Sequence, residues 1–257
     1  MAAQAPRGGR SVTGRALAVL AAFDGDHTRL SLSDIARRTG TPLSTTFRLV
    51  AELEQWRALD RDADGRYTIG FRLWELGRLA PVNGGIREAA MPFMSDLYEL
   101  TRENVHLAVR DGDEAIYVEK LTGHRAVPIL SRVGGRLPLH ATGVGKALLA
   151  VAPVAFRAAY LRRSLVRVTP YTLTDPQRLA RELDLVRRRG WARTSEEMSL
   201  GSCSVAVTVP GSGAALGIVV HSVRRDLDKW VPALQRAAEG VARRVASFDV
   251  ETLAVAR

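Results

Sequence analysis

The chain has 257 residues, enough for one or two domains with a sizeable core, and its 46% hydrophobic and 25% charged content is that of an ordinary globular protein. Its 37 basic residues against 27 acidic ones give a net charge of +10, which favours polyanionic partners. The single cysteine, Cys203, excludes an internal disulfide framework and a thiolate-rich metal site, and no apolar run approaches the ~18 residues of a membrane helix.

Nearly all the positive charge is Arg, with Lys only at 120, 146 and 229. Arginine makes forked contacts to phosphate and guanine, though biased genome composition produces the same excess. Residues 1–10 are mostly Ala, Gly, Pro and Arg and are expected to form a disordered arm, with Arg7 and Arg10 near DNA. They hold no apolar core of the kind a signal peptide needs, so a cytoplasmic location is expected. Gly14 to Phe23 reads as a helix with Ala16, Leu17, Leu20 and Phe23 facing inward.

Ser31-Leu32-Ser33-Asp34 has the spacing of a capping box, and the short helix it opens, Leu32 to Thr39, stops at Gly40. Thr41 is the expected N-cap of a second helix with Pro42 at its first position. In that helix Leu43, Phe47, Val50, Leu53 and Trp56 form the expected apolar stripe, and Ser44, Thr45 and Arg48 lie off it. Leu59-Asp60-Arg61 and Arg66-Tyr67-Thr68-Ile69 flank the turn Asp62-Ala63-Asp64-Gly65 as a small hairpin. Two helices around a tight turn, then a two-stranded ribbon, make a winged helix-turn-helix, whose recognition helix offers its front end to base edges. The DNA-binding candidates are therefore Ser44, Thr45, Thr46 and Arg48, with Arg61 and Arg66 on the wing and Arg15 in the first helix. Asp60, Asp62 and Asp64 limit the wing to one or two phosphate contacts.

Residues 71–80 read as a linker helix and Pro81 to Gly85 as a hinge. The expected division is thus an arm over 1–10, a DNA-binding domain over 11–70, a linker over 71–85 and a second domain over 86–250. In the last, a long helix runs from Ile86 to about Thr101, and strands are expected at Asn104 to Arg110, Ala115 to Leu121 and Ala126 to Arg132. Helices follow at Thr142 to Val151, Pro153 to Arg163 and Pro176 to Arg189, the last capped by Thr174 or Asp175. Strands at Trp191 to Ser195, Ser204 to Val209 and Leu216 to Ser222 precede a final helix from Leu227. Hairpin-grouped strands with helices around them indicate an α+β fold with an antiparallel sheet.

Catalytic chemistry finds no foothold. Gly143-Val144-Gly145-Lys146-Ala147 lacks both the leading Gly and the trailing hydroxyl of a phosphate loop, and suits a carboxylate at a helix N-terminus better. The histidines at 27, 106, 124, 140 and 221 have no ligand spacing. Glu196 and Glu197 point apart, and Ser202 and Ser204 lack a nucleophile elbow. No cofactor, metal or catalytic residue is expected.

Several stretches carry a resemblance. They are Arg15-Ala16-Leu17, Leu32 to Gly40, Pro42 to Leu53, Tyr67-Thr68-Ile69-Gly70, Pro138 to Ala150, and Gly190-Trp191-Ala192 followed by Glu196-Glu197. In their order and spacing the chain resembles the isocitrate-lyase-regulator (IclR) family of bacterial transcription factors over nearly its full length. The resemblance implies an N-terminal winged helix-turn-helix, a linker helix and a GAF-like effector domain. It also implies homodimers, or dimers of dimers, on palindromic double-stranded operators. Carried over by position, the implied effector pocket is Leu139, Gly143, Val144, Thr194, Ser204, Val219 and His221. Members that bind small keto acids tend to have Asp, Cys and two Ser where this chain has Thr194, Ser204, Val219 and His221, and the usual Pro of the penultimate strand is Thr208. These departures imply a larger or partly apolar organic acid, with His221 either meeting its carboxylate or serving as a satisfied core histidine.

The expected function is a sequence-specific, ligand-responsive transcriptional regulator and not an enzyme, with no membrane association. The alternatives are a metabolite-binding module or enzyme with a vestigial helix-turn-helix, and a regulator whose second domain only oligomerises.

Overall fold

The computed structural model describes residues 11–80, 85–123, 130–223 and 226–255, and the chain divides into two units, Met1–Asn83 and Gly84–Arg257. The expected arm, most of the hinge and residues 126–129 of an expected strand lie outside the described residues. So does the side chain of Phe248.

The first unit holds α1 (Val12–Leu20), α2 (Leu32–Thr39), α3 (Leu43–Gln55), a hairpin of β1 (Leu59–Arg61) and β2 (Tyr67–Ile69), and α4 (Phe71–Gly77). Local signals set its helix ends. The Ser11 hydroxyl accepts the Gly14 N–H at 3.0 Å and starts α1 earlier than its apolar pattern does. The capping box is formed at Ser31 and Asp34, and α2 stops at Gly40 in the left-handed conformation, φ 64°.

A core of Val19, Ala22, Leu30, Ile35, Leu49, Val50, Leu59 and Tyr67 joins these elements. It uses other faces of α1 and α3 than expected. Leu17 is 59% exposed, and Ala18 and Val19 turn inward instead. On α3 the inward positions are Thr46, Leu49 and Val50, with Leu53 packed beside them, whereas Leu43, Phe47 and Trp56 face solvent. Thr46 can enter the core because its hydroxyl donates to the Pro42 carbonyl at 3.1 Å. Pro42, not Thr41, is the N-cap residue, and no side chain caps the helix. In α4 Phe71, Trp74 and Leu76 are exposed, as is Leu79 just beyond it.

Among the described residues, the second unit is built on a six-stranded antiparallel sheet. It contains β3 (Asn104–Asp111), β4 (Glu114–Leu121), β5 (Arg136–Pro138), β6 (Ala192–Ser195), β7 (Ser202–Val209) and β8 (Ala214–His221), in the order β5-β4-β3-β8-β7-β6. Leu130 to Arg132, the described end of the strand expected at 126–132, are not in a strand, and Arg136 to Pro138 pair with β4 as β5. The two sheet faces bury different partners. Val105, Leu107, Val205, Val207, Leu216 and Ile218 pack in one core with α5 (Ile86–Thr101) and α9 (Val231–Val255). The alternate residues Ala108, Ala115, Tyr117, Ala206 and Ala215 pack in another with α6 (Gly143–Val151), α7 (Val154–Leu161) and α8 (Pro176–Arg189). Small alanines on this second face let α6 lie close to the strands.

Candidate DNA-reading helix and effector pocket

At the front of α3, Ser44 and Arg48 are exposed and Thr45 is half-buried. Thr46 is fully buried and its hydroxyl is held by backbone carbonyls of Pro42 and Thr41, so it is withdrawn from the candidate DNA contacts. Its position on the core side of the helix, between Leu49 and the start of the turn, leaves no path to a groove. Arg15 is half-buried in α1 with its Nε enclosed.

Arg61 and Arg66 are exposed on the hairpin, as the spacing suggests. One Asp62 carboxylate oxygen accepts the N–H groups of Asp64 (3.0 Å) and Arg66 (2.9 Å), which shapes the turn. Arg29, from the segment before α2, donates to the Asp62 carboxylate from Nε at 2.9 Å and to Asp64 at 3.1 Å. That hydrogen bond from Arg29 holds the Asp62 carboxyl below the usual carboxylate range. Two of the three carboxylates that counted against the wing are thus paired internally, a long-range contact invisible to local spacing. The Arg61 guanidinium lies over the Tyr67 ring, 5.6 Å from its centroid, which stiffens the base of the wing.

The second site lies where α6 meets the sheet. The Thr142 hydroxyl caps α6 by accepting the Gly145 N–H at 3.1 Å. A Cβ at 143 would stand 2.5 Å from the Ser204 hydroxyl, and one at 145 would stand 2.4 Å from the Leu139 carbonyl. These two glycines therefore serve close approach of the helix to β7 and to the preceding turn, not a phosphate cradle.

A cavity of about 450 Å³, its open mouth included, adjoins this helix start. Of the seven residues carried over by position, Gly143, Val144, Thr194, Ser204 and Val219 line it together. Leu139 does not; it is fully buried in the core with Leu148 and Leu149. His221 also falls outside. It sits exposed at the end of β8, where its Nδ1 accepts the Val223 N–H at 3.4 Å. The histidine that lines the cavity is His106 on β3, joined by Tyr117, Ser131, Thr142, Ser202 and the apolar Leu130, Leu137 and Met198. Strand alternation was the available signal: His106 shares the face of Ala108, whereas Val105 and Leu107 take the other.

The walls are rich in hydroxyls. Thr194 and Ser204 are 2.5 Å apart, and Ser199 and Ser202 2.9 Å apart. His106 Nε2 meets the Ser131 hydroxyl at 3.1 Å, and its ring stands edge-on to Tyr117. Burial, aided by the nearby Lys120 charge, pushes His106 down to about 3, so the imidazole is neutral. Among the described residues no Arg or Lys lines the cavity.

Beside the cavity Lys146 of α6 is buried, and its Nζ bonds the Glu197 carboxylate at 2.6 Å. Burial raises the Glu197 carboxyl and Lys146 pulls it back. Glu196 points elsewhere, accepting the Gly201 N–H at 2.7 Å, while its carbonyl and that of Glu197 accept the Thr169 and Thr172 hydroxyls, each at 2.7 Å. The segment that contributes Met198 and Ser199 to the cavity is thereby pinned to α6 through Glu197 and to the loop of Thr169 and Thr172 before α8.

Residues 12–63 match the family model for the IclR helix-turn-helix domain, and residues 81–246 match that for the bacterial transcriptional regulator IclR C-terminal region. The chain is 33% identical over 223 residues to the HTH-type transcriptional repressor AllR of Escherichia coli, covering 84% of this chain and 82% of that protein. It is 33% identical over 181 residues to the HTH-type transcriptional regulator KipR of Bacillus subtilis, covering 70% and 72%. Among solved structures, an IclR homolog from Microbacterium hydrocarbonoxydans complexed with 4-hydroxybenzoate aligns over 92% of this chain and 100% of that one, at 35% identity and a TM-score of 0.87. The IclR protein of Thermotoga maritima aligns over 91% and 98%, at 29% identity and a TM-score of 0.75.

Proposed function

Because the chain belongs to the IclR family of bacterial transcriptional regulators, we propose that it reads an operator with the front of α3 and senses a small carboxylate in the cavity at the start of α6. The observation that carries the DNA half is the side-chain sorting on α3: Thr46 is locked inward while Ser44 and Arg48 face solvent. Ser44 and Thr45 then reach base edges, and Arg48, Arg61 and Arg66 contact phosphate or guanine. Arg15 supports the fold behind this surface and makes at most a flanking contact.

The start of a helix, its positive dipole end, favours a carboxylate. Thr194 and Ser204, whose hydroxyls bond each other at 2.5 Å, leave one hydroxyl proton to donate beside it. The Microbacterium homolog's 4-hydroxybenzoate supports an acid of this size. An effector that binds one arrangement of the molecule better than another shifts operator affinity by that difference. The exposed apolar side chains of Phe71, Trp74, Leu76 and Leu79 support a homodimer formed through α4, which matches two half-sites of a palindrome. A dimer of dimers extends the same scheme. Among the described residues no helix is long and apolar enough to cross a membrane, and we place the protein in the cytoplasm with its DNA.

The test is operator binding with duplexes selected from a random pool. Arg48→Ala is expected to weaken binding by about 1–3 kcal/mol with an unchanged thermal midpoint. Equal affinity of the variant and the parent would show that α3 does not face DNA.

A further inference from the structure

Packing in the first unit sorts the side chains of α3 in an order opposite to hydrophobicity. Thr46 is fully buried, whereas Leu43 and Phe47 are 52% and 57% exposed. Neither belongs to the core that joins α1, α2, α3 and the hairpin. Trp56, exposed just past the end of the same helix, is covered in part by the Arg72 guanidinium, 4.3 Å from its ring centroid. Single exposed apolar side chains are ordinary on a protein surface, so the meaning of this pair lies in the company it keeps.

Leu43 and Phe47 stand four residues apart, so they lie one above the other on the helix, about 6 Å along its axis. Ser44 and Arg48 repeat that step one residue on, about 100° round the helix, and are exposed as well. The front of α3 therefore carries two neighbouring rows, one apolar and one polar. A duplex offers a partner to each. Ser44 and Arg48 suit base-edge donors and acceptors or phosphate, but Leu43 and Phe47 have no hydrogen bond to give. The apolar group that bases present in the major groove is the C5-methyl of thymine. The rise of about 6 Å is less than two steps of ~3.4 Å along a strand, so the apolar row covers one or two adjacent bases.

We propose that Leu43 and Phe47 form a thymine-methyl-reading edge of the recognition helix, so that each operator half-site carries one or two thymines beside the groups met by Ser44 and Arg48. This rests on the reading that the front of α3 faces the operator. The apolar area left outside the core is then buried on binding, where its removal from water stabilises the specific complex. Loss of one methyl from such a contact weakens binding roughly fourfold. Because no phosphate is neutralised, the contact sharpens sequence discrimination without steepening the dependence on salt.

The experiment uses the full chain and a duplex that it selects from a random pool. Each thymine of that duplex is replaced in turn, in both half-sites, by deoxyuridine, which keeps the pairing and removes only the methyl. At one or two symmetric positions the parent is expected to lose affinity roughly fourfold per half-site, about tenfold or more in all. Phe47→Ala is expected to bind the thymine and uracil duplexes equally at one such position, with its thermal midpoint and salt slope unchanged. Leu43→Ala gives the same readout at the adjacent position and serves if Phe47→Ala binds neither duplex. A merely structural role for Phe47 would weaken both duplexes by one factor and leave their ratio intact. A selected duplex with no thymine whose methyl matters, or a thymine-to-uracil ratio kept in both variants, overturns the methyl-reading edge and leaves operator reading by α3 standing. If the parent selects no sequence at all, the assignment of α3 falls and this inference falls with it.

Discussion

Buried polar side chains survive where their partners are in place, and Lys146 and His106 illustrate two different solutions. Lys146 is met by a partner of opposite sign, its Nζ 2.6 Å from the Glu197 carboxylate. Removing one member of a buried pair strands the other, so Lys146→Met should destabilise the protein by about 3–5 kcal/mol in urea unfolding. The double variant with Glu197→Leu should recover most of that loss. A double variant no more stable than Lys146→Met would show that the pair is not the source of the cost. His106 instead stays neutral, at about 3 against an ordinary 6.5. Its contribution to stability is therefore complete above pH 6.5 and is lost as pH falls towards 3, because the unfolded chain takes up a proton that the folded chain refuses. Over that window the unfolding constant should rise by up to tenfold per pH unit more steeply in the parent than in His106→Gln. Parallel pH profiles would mean that His106 is solvated. Neither role is written in local sequence. Lys146 sits in a Gly-x-Gly-Lys stretch that resembles a phosphate loop, and His221 holds the family's pocket position while its side chain is exposed at the end of β8.

At the scale of elements, what local chemistry dictates was legible. The capping box at Ser31, the stop at Gly40, the Asp62–Gly65 turn and the Asp175-capped helix α8 all lie where their spacing puts them. Rotation of a helix about its axis is a different matter, since it is decided by neighbours. On α3 a stripe through Leu43, Phe47 and Trp56 is as good a pattern as one through Thr46, Leu49 and Val50, and only packing against α1 and α2 selects the second. β5 was missed because three residues carry no period. The selection leaves apolar side chains outside, most densely on and just after α4, where Phe71 and Trp74 stack at 4.8 Å. If α4 joins two protomers, Trp74→Ser with Leu79→Glu should lower operator affinity about tenfold or more, by unlinking the half-sites. The same change should lower the mass measured by light scattering. Full-mass assemblies with parental affinity would assign dimerisation to another surface.

For the whole molecule, the distribution of charge matters more than its sum. Residues 11–80 contain ten arginines and nine carboxylates, so the chain's net +10 belongs almost entirely to the rest. Within that nearly balanced unit Arg29 is tied to Asp62 and Asp64, and Arg38 to Asp24. Arg48, Arg61 and Arg66 are left on the candidate DNA face, three cations per protomer. A dimer using these alone would neutralise about six phosphates, and counterion release then lowers affinity by roughly 10³ between 50 and 200 mM salt. A diffuse attraction of the effector domains to the duplex would instead add contacts and steepen the drop towards roughly 10⁵ over the same range. Operator titrations across that interval separate the two, and Arg61→Ala should flatten the slope by about two phosphates in the dimer under the first scheme. An affinity indifferent to salt would remove both, because no arrangement of arginines on a polyanion escapes the release of its counterions.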